Sequence, residues 1–201
     1  MSGDDQTEDD FALMKKVAVG DHSAFRQLVE RHQNAVVGTV TKMLGNSHDA
    51  EDISQQVFLR VWKNADRYQP DAKFTTWLFT IVRHLVFNET RRRGRKKEIS
   101  SEEREAAGHS LVEASPRNQP DHKLLRTELI EAVDRAIEQL PENQRMAVVL
   151  RRYEQVSYEE IAEILQVSVP SVKSLLFRAR GSLRKSLDQY LEGSTDTAAS
   201  S

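Results

Sequence analysis

The sequence predicts an all-α protein made of two small helical domains joined by a flexible linker. Apolar residues recur at spacings of three and four through most of the chain, which is the period of helices that bury one face. That period stops over residues 98–120, where Ser, Glu, Gly, Asn and two prolines dominate. Apolar residues make up 38% of the 201 residues and charged residues 30%, a balance that suits two modest cores better than one large core.

The first predicted domain covers residues 11–97 and follows an acidic tail. Residues 1–10 and 192–201 are polar, and we expect both ends of the chain to be disordered. A short helix is predicted over residues 11–20, because the glycine at its end suits the left-handed backbone that closes helices. A longer helical pattern then runs on to Gly45.

The third helix of this domain is predicted to run from Ser47 to about Ala65. Serine is a good residue for the N-cap of a helix. Three acids lie in the first turn, where the helix dipole favours negative charge: Asp49, Glu51 and Asp52. A loop marked by Pro70 ends this part of the domain.

The fourth helix, Phe74–Lys97, is apolar on one face in its first half and cationic in its second. Six of its last seven residues are basic, and Glu89 is the only acid between Ala72 and Lys97. A helix that packs at one end and carries this charge at the other suits an anionic partner. A solvated charge run at a domain edge explains the same cluster equally well.

The second predicted domain covers residues 121–191 and contains the sharpest local motif. Its residues 157–180 read SYEEIAEILQVSVPSVKSLLFRAR. Ser157 and Glu160 have the spacing of a capping box at the start of a short helix. A turn at Gln166 and a second helix with Pro170 in its first turn complete a helix-turn-helix pattern.

The charge around this motif favours DNA as a partner. No acid occurs from Ile164 to Leu187, whereas five basic residues do. Lysine and arginine can donate to guanine or phosphate, serine to either, and phenylalanine can touch a thymine methyl group. The exposed positions of the second helix are predicted to be Ser171, Lys173, Ser174, Phe177 and Arg178. A basic helical hairpin with no DNA role is the competing interpretation.

Several functional classes find no support in the sequence. There is no cysteine, which excludes disulfides and thiolate metal sites and fits a cytoplasmic protein. No apolar run approaches the roughly 18 residues that cross a bilayer, so we expect no membrane insertion. Histidine pairs with metal-ligand spacing, Gly-rich phosphate loops and nucleophile motifs are also missing. We therefore predict no catalytic residues, no metal and no cofactor, and hence no enzyme.

Both halves of the chain together resemble a known family. The first half is similar to sigma region 2 in DAEDISQQVFLRVW (residues 49–62) and FTTWLFTIVRHLVFNETRRR (residues 74–93). The second half is similar to region 4 in LPENQRMAVVLRRYEQVSYEEIAEILQVSVPSVKSLLFRAR, residues 140–180. The chain thus resembles an extracytoplasmic-function (group IV) sigma factor of the sigma-70 family. The resemblance implies a subunit that binds core RNA polymerase and directs recognition of the −10 and −35 promoter elements and transcription initiation.

The resemblance places the acidic third helix on a coiled coil of the polymerase beta-prime subunit. Carboxylates and amides at one end of that helix would accept from a basic partner, and an aromatic ring would add apolar contact area. The matching residues are Asp49, Asp52, Gln55, Gln56 and Phe58. Phe58 and Trp62 are each either part of this contact or part of the core, and the core is favoured for Trp62.

The resemblance assigns capture of the opened −10 element to the loop and helix that follow. Unpaired bases can stack on aromatic rings while cations hold the backbone. The matching residues are Tyr68, Lys73, Trp77, Arg83, His84, Asn88, Arg91, Arg92 and Arg93. Phe74 and Trp77 belong to the apolar stripe, so each is either a wedge between bases or a core residue. His84 stands where the family commonly has asparagine, which leaves the preferred −10 base open.

The resemblance assigns the −35 element, read as a duplex, to the recognition helix, residues 169–180. The five exposed positions predicted above match the reading positions, while Pro170 and Leu175 depart from the family pattern. Region 4 also docks on the flap of the polymerase beta subunit, and residues 146–150 are the expected contact surface. The linker acids Glu102, Glu103, Glu105 and Glu113 either enter the template channel or stay solvated.

Other partners and functions stay open. Many family members are held inactive by an anti-sigma factor that covers both domains, and a flexible linker would permit this. An autonomous helix-turn-helix regulator and a scaffold that keeps a sigma-like fold are the alternative functions. A simple repressor has no use for the acidic third helix or the aromatic-basic fourth helix, which argues against the first alternative.

Overall fold

The computed structural model describes the backbone of residues 3–45, 47–69, 72–104 and 122–198. Within these ranges the chain is helical and contains no strand. The helices are α1 (Gly3–Ala18), α2 (His22–Leu44), α3 (Ser47–Lys63), α4 (Phe74–Arg104), α5 (His122–Glu138), α6 (Glu142–Arg152), α7 (Tyr158–Leu165) and α8 (Val169–Ala198), with a short 3-10 turn at Ala65–Arg67. The predicted all-α fold class is confirmed.

Helices α1 to α4 form the N-terminal unit around a core of aliphatic and phenylalanine side chains. α3 packs on α2 and α4, and α1 packs on α2 and on the 3-10 turn. Helix α2 is capped at both ends. The Asp21 carboxylate accepts from the backbone N–H groups of Ser23 and Ala24. Gly45 ends the helix in the left-handed region at φ 66°, and a Cβ there would meet the Glu138 carboxylate.

Helix α1 begins eight residues before the predicted start at Phe11. The acids of the predicted tail explain part of this extension, because two of them are paired with α2. Asp10 is buried, accepts from Arg31 at 2.6 Å and lies 2.9 Å from the Nε2 atom of His32. Asp9 also accepts from Arg31, at 3.0 Å. A carboxylate with such partners is held in place, so the helix continues through it.

Two further boundaries differ from the predicted ones. α4 continues to Arg104, seven residues into the predicted linker, and α8 continues to Ala198 through most of the predicted C-terminal tail. Adding a residue to an existing helix gains a hydrogen bond without the cost of nucleation, so long helices run past the point where periodicity fades. Residues 105–121, including Glu105 and Glu113, and the loop residue Pro70 lie outside the described residues.

Helices α5 to α8 form the C-terminal unit, in which α7 and α8 make the helix-turn-helix. The predicted capping box is present: the Ser157 hydroxyl accepts from the Glu160 backbone N–H, and the Glu160 carboxylate accepts from the Ser157 N–H. Gln166 ends α7 in the left-handed region at φ 57°. Pro170 lies in the first turn of α8, as its missing N–H favours.

The two units pack on each other. α4 lies against α7, and α2 lies against α5 and α6. The buried residues of both units form one contiguous hydrophobic cluster, whereas the sequence predicts two separate cores. Across this interface Lys42 pairs with Asp134 at 3.0 Å, and Arg145 donates to the Met43 carbonyl at 2.7 Å. We call this packing of the two units the closed arrangement. It determines which of the predicted site residues reach solvent.

Candidate nucleic-acid interface

The exposed face of α3 carries polar residues around one exposed leucine. Asp52, Gln55 and Gln56 are exposed as predicted. Phe58, predicted either to contact a partner or to lie in the core, is only 8% exposed and packs in the core. Leu59 is 56% exposed instead.

Helical spacing explains the exchange of Phe58 for Leu59. The buried positions of α3 follow Ile53, Val57 and Val61, and Phe58 lies next to that stripe. Leu59 lies three to four residues beyond Gln55 and Gln56, on their face of the helix. In the sequence, the spacing of Leu59 from those two glutamines was the signal that could have identified it as exposed. Trp62 stacks on His22 with ring centroids 4.7 Å apart, so its ring is engaged within the N-terminal unit.

Asp49 begins the same face of α3 but is already paired. Arg93 of α4 donates to its carboxylate, and the same arginine donates to the Leu44 carbonyl at 3.1 Å. The pair ties the start of α3 to the end of α2 and to α4. Asp49 therefore has a structural role whatever it contacts on a partner.

Aromatic rings cluster where the α3–α4 connection enters α4. Tyr68 and Trp77 lie with ring centroids 5.2 Å apart, and Tyr68 and Phe74 are 6.0 Å apart. Phe74 is fully buried, so it is a core residue, whereas Tyr68 and Trp77 are half-buried. Burial is the larger cause that raises the pKa of the Tyr68 phenol, and the charge of Asp10 raises this pKa further. Two rings with partly open surfaces are what stacking of an unpaired base requires.

Two cations next to this cluster, one in α4 and one just before it, contact the C-terminal unit. Arg83 is 8% exposed and donates to the Gln166 side-chain oxygen at 3.1 Å. Burial lowers the pKa of its guanidinium. Lys73, half-exposed at the rim, pairs with Glu160 of α7 at 3.3 Å. In this closed arrangement Arg83 is covered, whereas Lys73 remains half-exposed but is engaged by Glu160.

His84 is exposed beside Arg83. Burial lowers the pKa of its imidazole, and the charges of Arg83 and Arg60 lower it further. The neutral form of the ring is therefore favoured, and a neutral imidazole can both donate and accept. Asn88 is exposed one turn further along α4.

The cationic end of α4 divides into engaged and open arginines. Glu89 is 8% exposed and accepts from Arg92 at 2.7 and 2.9 Å and from Arg93 at 2.9 Å. The hydrogen bond from Arg92 is the main reason that the pKa of Glu89 is lowered. Arg91 and Arg95 are exposed and line an open groove with Asn88 and Gly94. Within the described part of the basic cluster, Arg91 and Arg95 thus face solvent without a salt bridge, although the charge of Glu142 acts on Arg91.

The recognition helix presents all five predicted residues on one exposed face of α8. Phe177 is 74% exposed, and the Arg178 guanidinium donates to the Ser174 hydroxyl at 3.0 Å. The hydroxyls of Ser168 and Ser171 are 2.8 Å apart and close the first turn. Lys173 is also exposed. The chemistry of this face, two cations with hydroxyls and a ring, matches the groups that read base edges and phosphates.

The C-terminal unit also has an apolar groove, of about 600 Å³, between α5, α6 and α8. Val133, Ile137, Tyr158 and Leu183 are among the residues that line it. Three arginines stand beside it: Arg151, Arg152 and Arg180. Residues 146–150, the predicted flap contact, are all buried, and of these only Val148 reaches the groove. The open apolar surface of this unit is thus the groove, not the α6 core stretch.

Comparisons with known proteins identify the family. The model of Sigma-70 region 2 matches residues 28–96, and that of Sigma-70 region 4 matches residues 130–183. The RNA polymerase sigma-H factor of Pseudomonas aeruginosa is 32% identical over 189 residues, which cover 92% of this chain and 96% of that protein. This chain belongs to the ECF sigma factors of the sigma-70 family. Members of this family direct promoter recognition and transcription initiation.

Further relatives agree in sequence and in fold. The ECF RNA polymerase sigma-E factor of Escherichia coli is 36% identical over 176 residues, which cover 85% of this chain and 90% of that protein. CnrH, solved in complex with the cytosolic domain of CnrY, matches with a TM-score of 0.67 at 26% identity over 90% of this chain and 98% of that chain. The sigma factor RpoE of Bartonella quintana, solved with the anti-sigma factor NepR, matches with a TM-score of 0.63 at 25% identity over 82% of this chain and 96% of that chain.

None of the helices in the described part of the chain has the length and apolar character of a membrane span. The same part of the chain contains no cluster of three metal-ligating side chains.

Proposed function

We propose that this sigma factor is a non-enzymatic subunit that acts in the cytoplasm. There it binds core RNA polymerase and uses both of its domains to open promoters. The observation that carries this proposal is the presence of three distinct surfaces in one chain: the polar face of α3, the aromatic and basic face of α4, and the exposed face of α8. An autonomous repressor would need only the last of these.

The polar face of α3 is the proposed contact with the beta-prime subunit. Asp52, Gln55 and Gln56 supply acceptors for a basic partner, and Leu59 supplies the apolar centre that Phe58 cannot. Asp49 stays paired with Arg93 and supports the face from within the protein.

Capture of the −10 element is proposed for Tyr68, Trp77, His84 and Asn88, with Arg91 holding the DNA backbone. The half-buried rings offer stacking surfaces, and the neutral imidazole and the amide can read base edges. Arg92 and Arg93 contribute less, because Glu89 and Asp49 together offset their two charges. Arg83 joins this surface only when the two units separate, and Lys73 is then released from Glu160.

The −35 duplex is proposed to lie on α8. Lys173 and Arg178 donate to guanine or phosphate, Ser171 and Ser174 position the backbone, and Phe177 contacts a thymine methyl group. The apolar groove beside α8 is the proposed site for the beta flap, since it offers the open apolar surface that the buried α6 stretch lacks.

An anti-sigma factor is a further proposed partner. CnrH and RpoE were both solved with a second protein, which in the case of RpoE is an anti-sigma factor. The apolar groove and its three arginines would suit an acidic amphipathic segment of such a protein.

Reconstitution with sigma-free core polymerase and a genomic promoter library tests the proposed function. We expect stable association with core and promoter-dependent transcripts. A Leu59→Asp variant should lose association while keeping its thermal stability, because the leucine is exposed. Duplex binding by the chain alone, with no effect of core, would instead support the autonomous regulator.

A further inference from the structure

The interface between the two units covers part of the α4 surface assigned to DNA. Arg83 and Lys73 both contact α7 or the turn that follows it. The recognition face of α8, by contrast, stays exposed in the same arrangement. The packing therefore affects the two DNA-binding surfaces unequally.

Gln166 is an unusual residue for the backbone that it adopts. It lies in the left-handed region at φ 57°, where glycine is free of strain and a side chain is not. Gln155 is the only other non-glycine residue of the described chain with a positive φ. The Gln166 side chain accepts the Arg83 hydrogen bond, so the residue that strains the turn also supplies a bond between the units.

Glu160 combines a local and an interdomain contact through its two carboxylate oxygens. One accepts from the Ser157 N–H at 2.9 Å and completes the capping box. The other lies 3.3 Å from the Lys73 ammonium. Glutamine also serves in capping boxes, so the two contacts can be separated by substitution.

The contacts of the buried Arg83 guanidinium do not fully compensate for the loss of its hydration. Its Nε atom is buried and has no hydrogen-bond partner, and no described carboxylate pairs with its guanidinium. Its other contacts are with uncharged groups: the Gln166 side-chain oxygen at 3.1 Å, a long 3.5 Å approach to the His84 Nε2 atom and the Phe87 ring at 5.8 Å. A desolvated cation without an anionic partner is a weak point in an interface. The α4–α7 contact is therefore suited to open when a stronger anionic partner competes for Arg83.

We propose that Gln166 and Glu160 form a latch that closes the −10 surface of α4 against α7 and is released when the sigma factor engages DNA. The latch leaves the recognition face of α8 accessible, so it restrains single-strand capture more than duplex recognition. The functional part of this inference rests on the function proposed above for α4, whereas the latch itself does not.

Spin-label distance measurements test the latch directly. The chain has no cysteine, so one label can be placed on each unit with Arg26→Cys and Lys185→Cys, both at exposed positions. We expect one narrow distance distribution for the otherwise unchanged protein and a broad, longer one for Glu160→Gln/Gln166→Gly. The glutamine keeps the capping box and the glycine suits the turn, so this variant should remain folded. Gln155→Gly is the matched control: it relieves the same backbone conformation, and the described structure shows no hydrogen bond from Gln155 to α4.

Affinity for a mixed-sequence single-stranded DNA 20-mer, read by fluorescence anisotropy, tests the consequence. The double variant should bind roughly fivefold more tightly than the unsubstituted protein, as expected from the loss of two modest contacts. Gln155→Gly should leave this affinity unchanged.

The outcomes separate the latch from the proposed function. A broad distribution in the unsubstituted protein, or a narrow one in the double variant, overturns the latch. Separation of the two units in the double variant without a gain in affinity for single-stranded DNA overturns the proposal that the latch controls the −10 surface. A failure of core-dependent transcription with the expected distances would count against the proposed function alone.

Discussion

The two basic helices of this sigma factor, α4 and α8, use their charge differently. In α4, Glu89 engages Arg92 and Arg93, and Gln166 holds Arg83, so much of the cationic charge is committed within the protein. In α8 the reading positions are exposed and the stretch from Ile164 to Leu187 contains no acid. A basic cluster in a sequence is therefore a surface for DNA only to the extent that the fold leaves it without acidic partners.

The largest expected effect concerns the acid that organises α4. Glu89→Ala should lower the free energy of unfolding by about 2 kcal/mol, because it leaves Arg92 and Arg93 without their shared partner. Urea unfolding of the full chain measures the change. Glu131→Ala, which breaks an exposed pair at 4.0 Å with Arg135, should cost less than about 0.5 kcal/mol. Equal losses for the two variants would mean that Glu89 does not organise the helix.

The second prediction sharpens the role of α8. Lys173→Ala should weaken binding of the holoenzyme to a duplex carrying its −35 element about tenfold, since one good base contact is worth ~1–3 kcal/mol. Stability should not change, because Lys173 is exposed. Competitive binding with a −35 mutant duplex measures the loss. Lys185→Ala, further along the same helix, is the control and should have a smaller effect; an identical loss would remove the case for base reading by Lys173.

The third prediction separates open from engaged arginines within α4. Arg91→Ala should reduce the slope of log affinity against log salt concentration by about 1, as loss of one phosphate contact does. Arg92→Ala should reduce it by less, because Glu89 already neutralises that guanidinium. Titration of the holoenzyme with promoter DNA at several salt concentrations provides both slopes. A larger change for Arg92 would reverse the division proposed here.

The smallest effect is expected from lowering the pH. The folded-state pKa of Glu89 lies below its ordinary value of 4.5, so its stabilising contribution is present above that value and is lost as the pH falls through the lowered pKa. Glu89→Gln should therefore be less stable than the unsubstituted protein at pH 7 and approach it as the pH falls below about 4.5. Unfolding midpoints measured across this range test the sign. A difference that stays constant with pH would assign it to packing instead.

Predictions from local sequence were the most successful. The capping box at Ser157 and Glu160 and the place of Pro170 were predicted because these features depend on residues a few positions apart. The exposed positions of α8 follow from helical period alone. Helical period could not decide whether Phe74 is a wedge between bases or a core residue, because a residue in either role would lie on the same apolar stripe.

Sequence alone determined that the protein is helical, that it contains a helix-turn-helix, and which family it resembles, because these depend on short-range spacing and composition. Tertiary structure decided which cations are open, that Leu59 and not Phe58 is exposed on α3, and that α4 closes against α7. Those outcomes depend on partners distant in the chain, such as Arg83 with Gln166 and Arg93 with Asp49. Periodicity identifies the buried face of a helix, but it does not identify the neighbour that covers the rest.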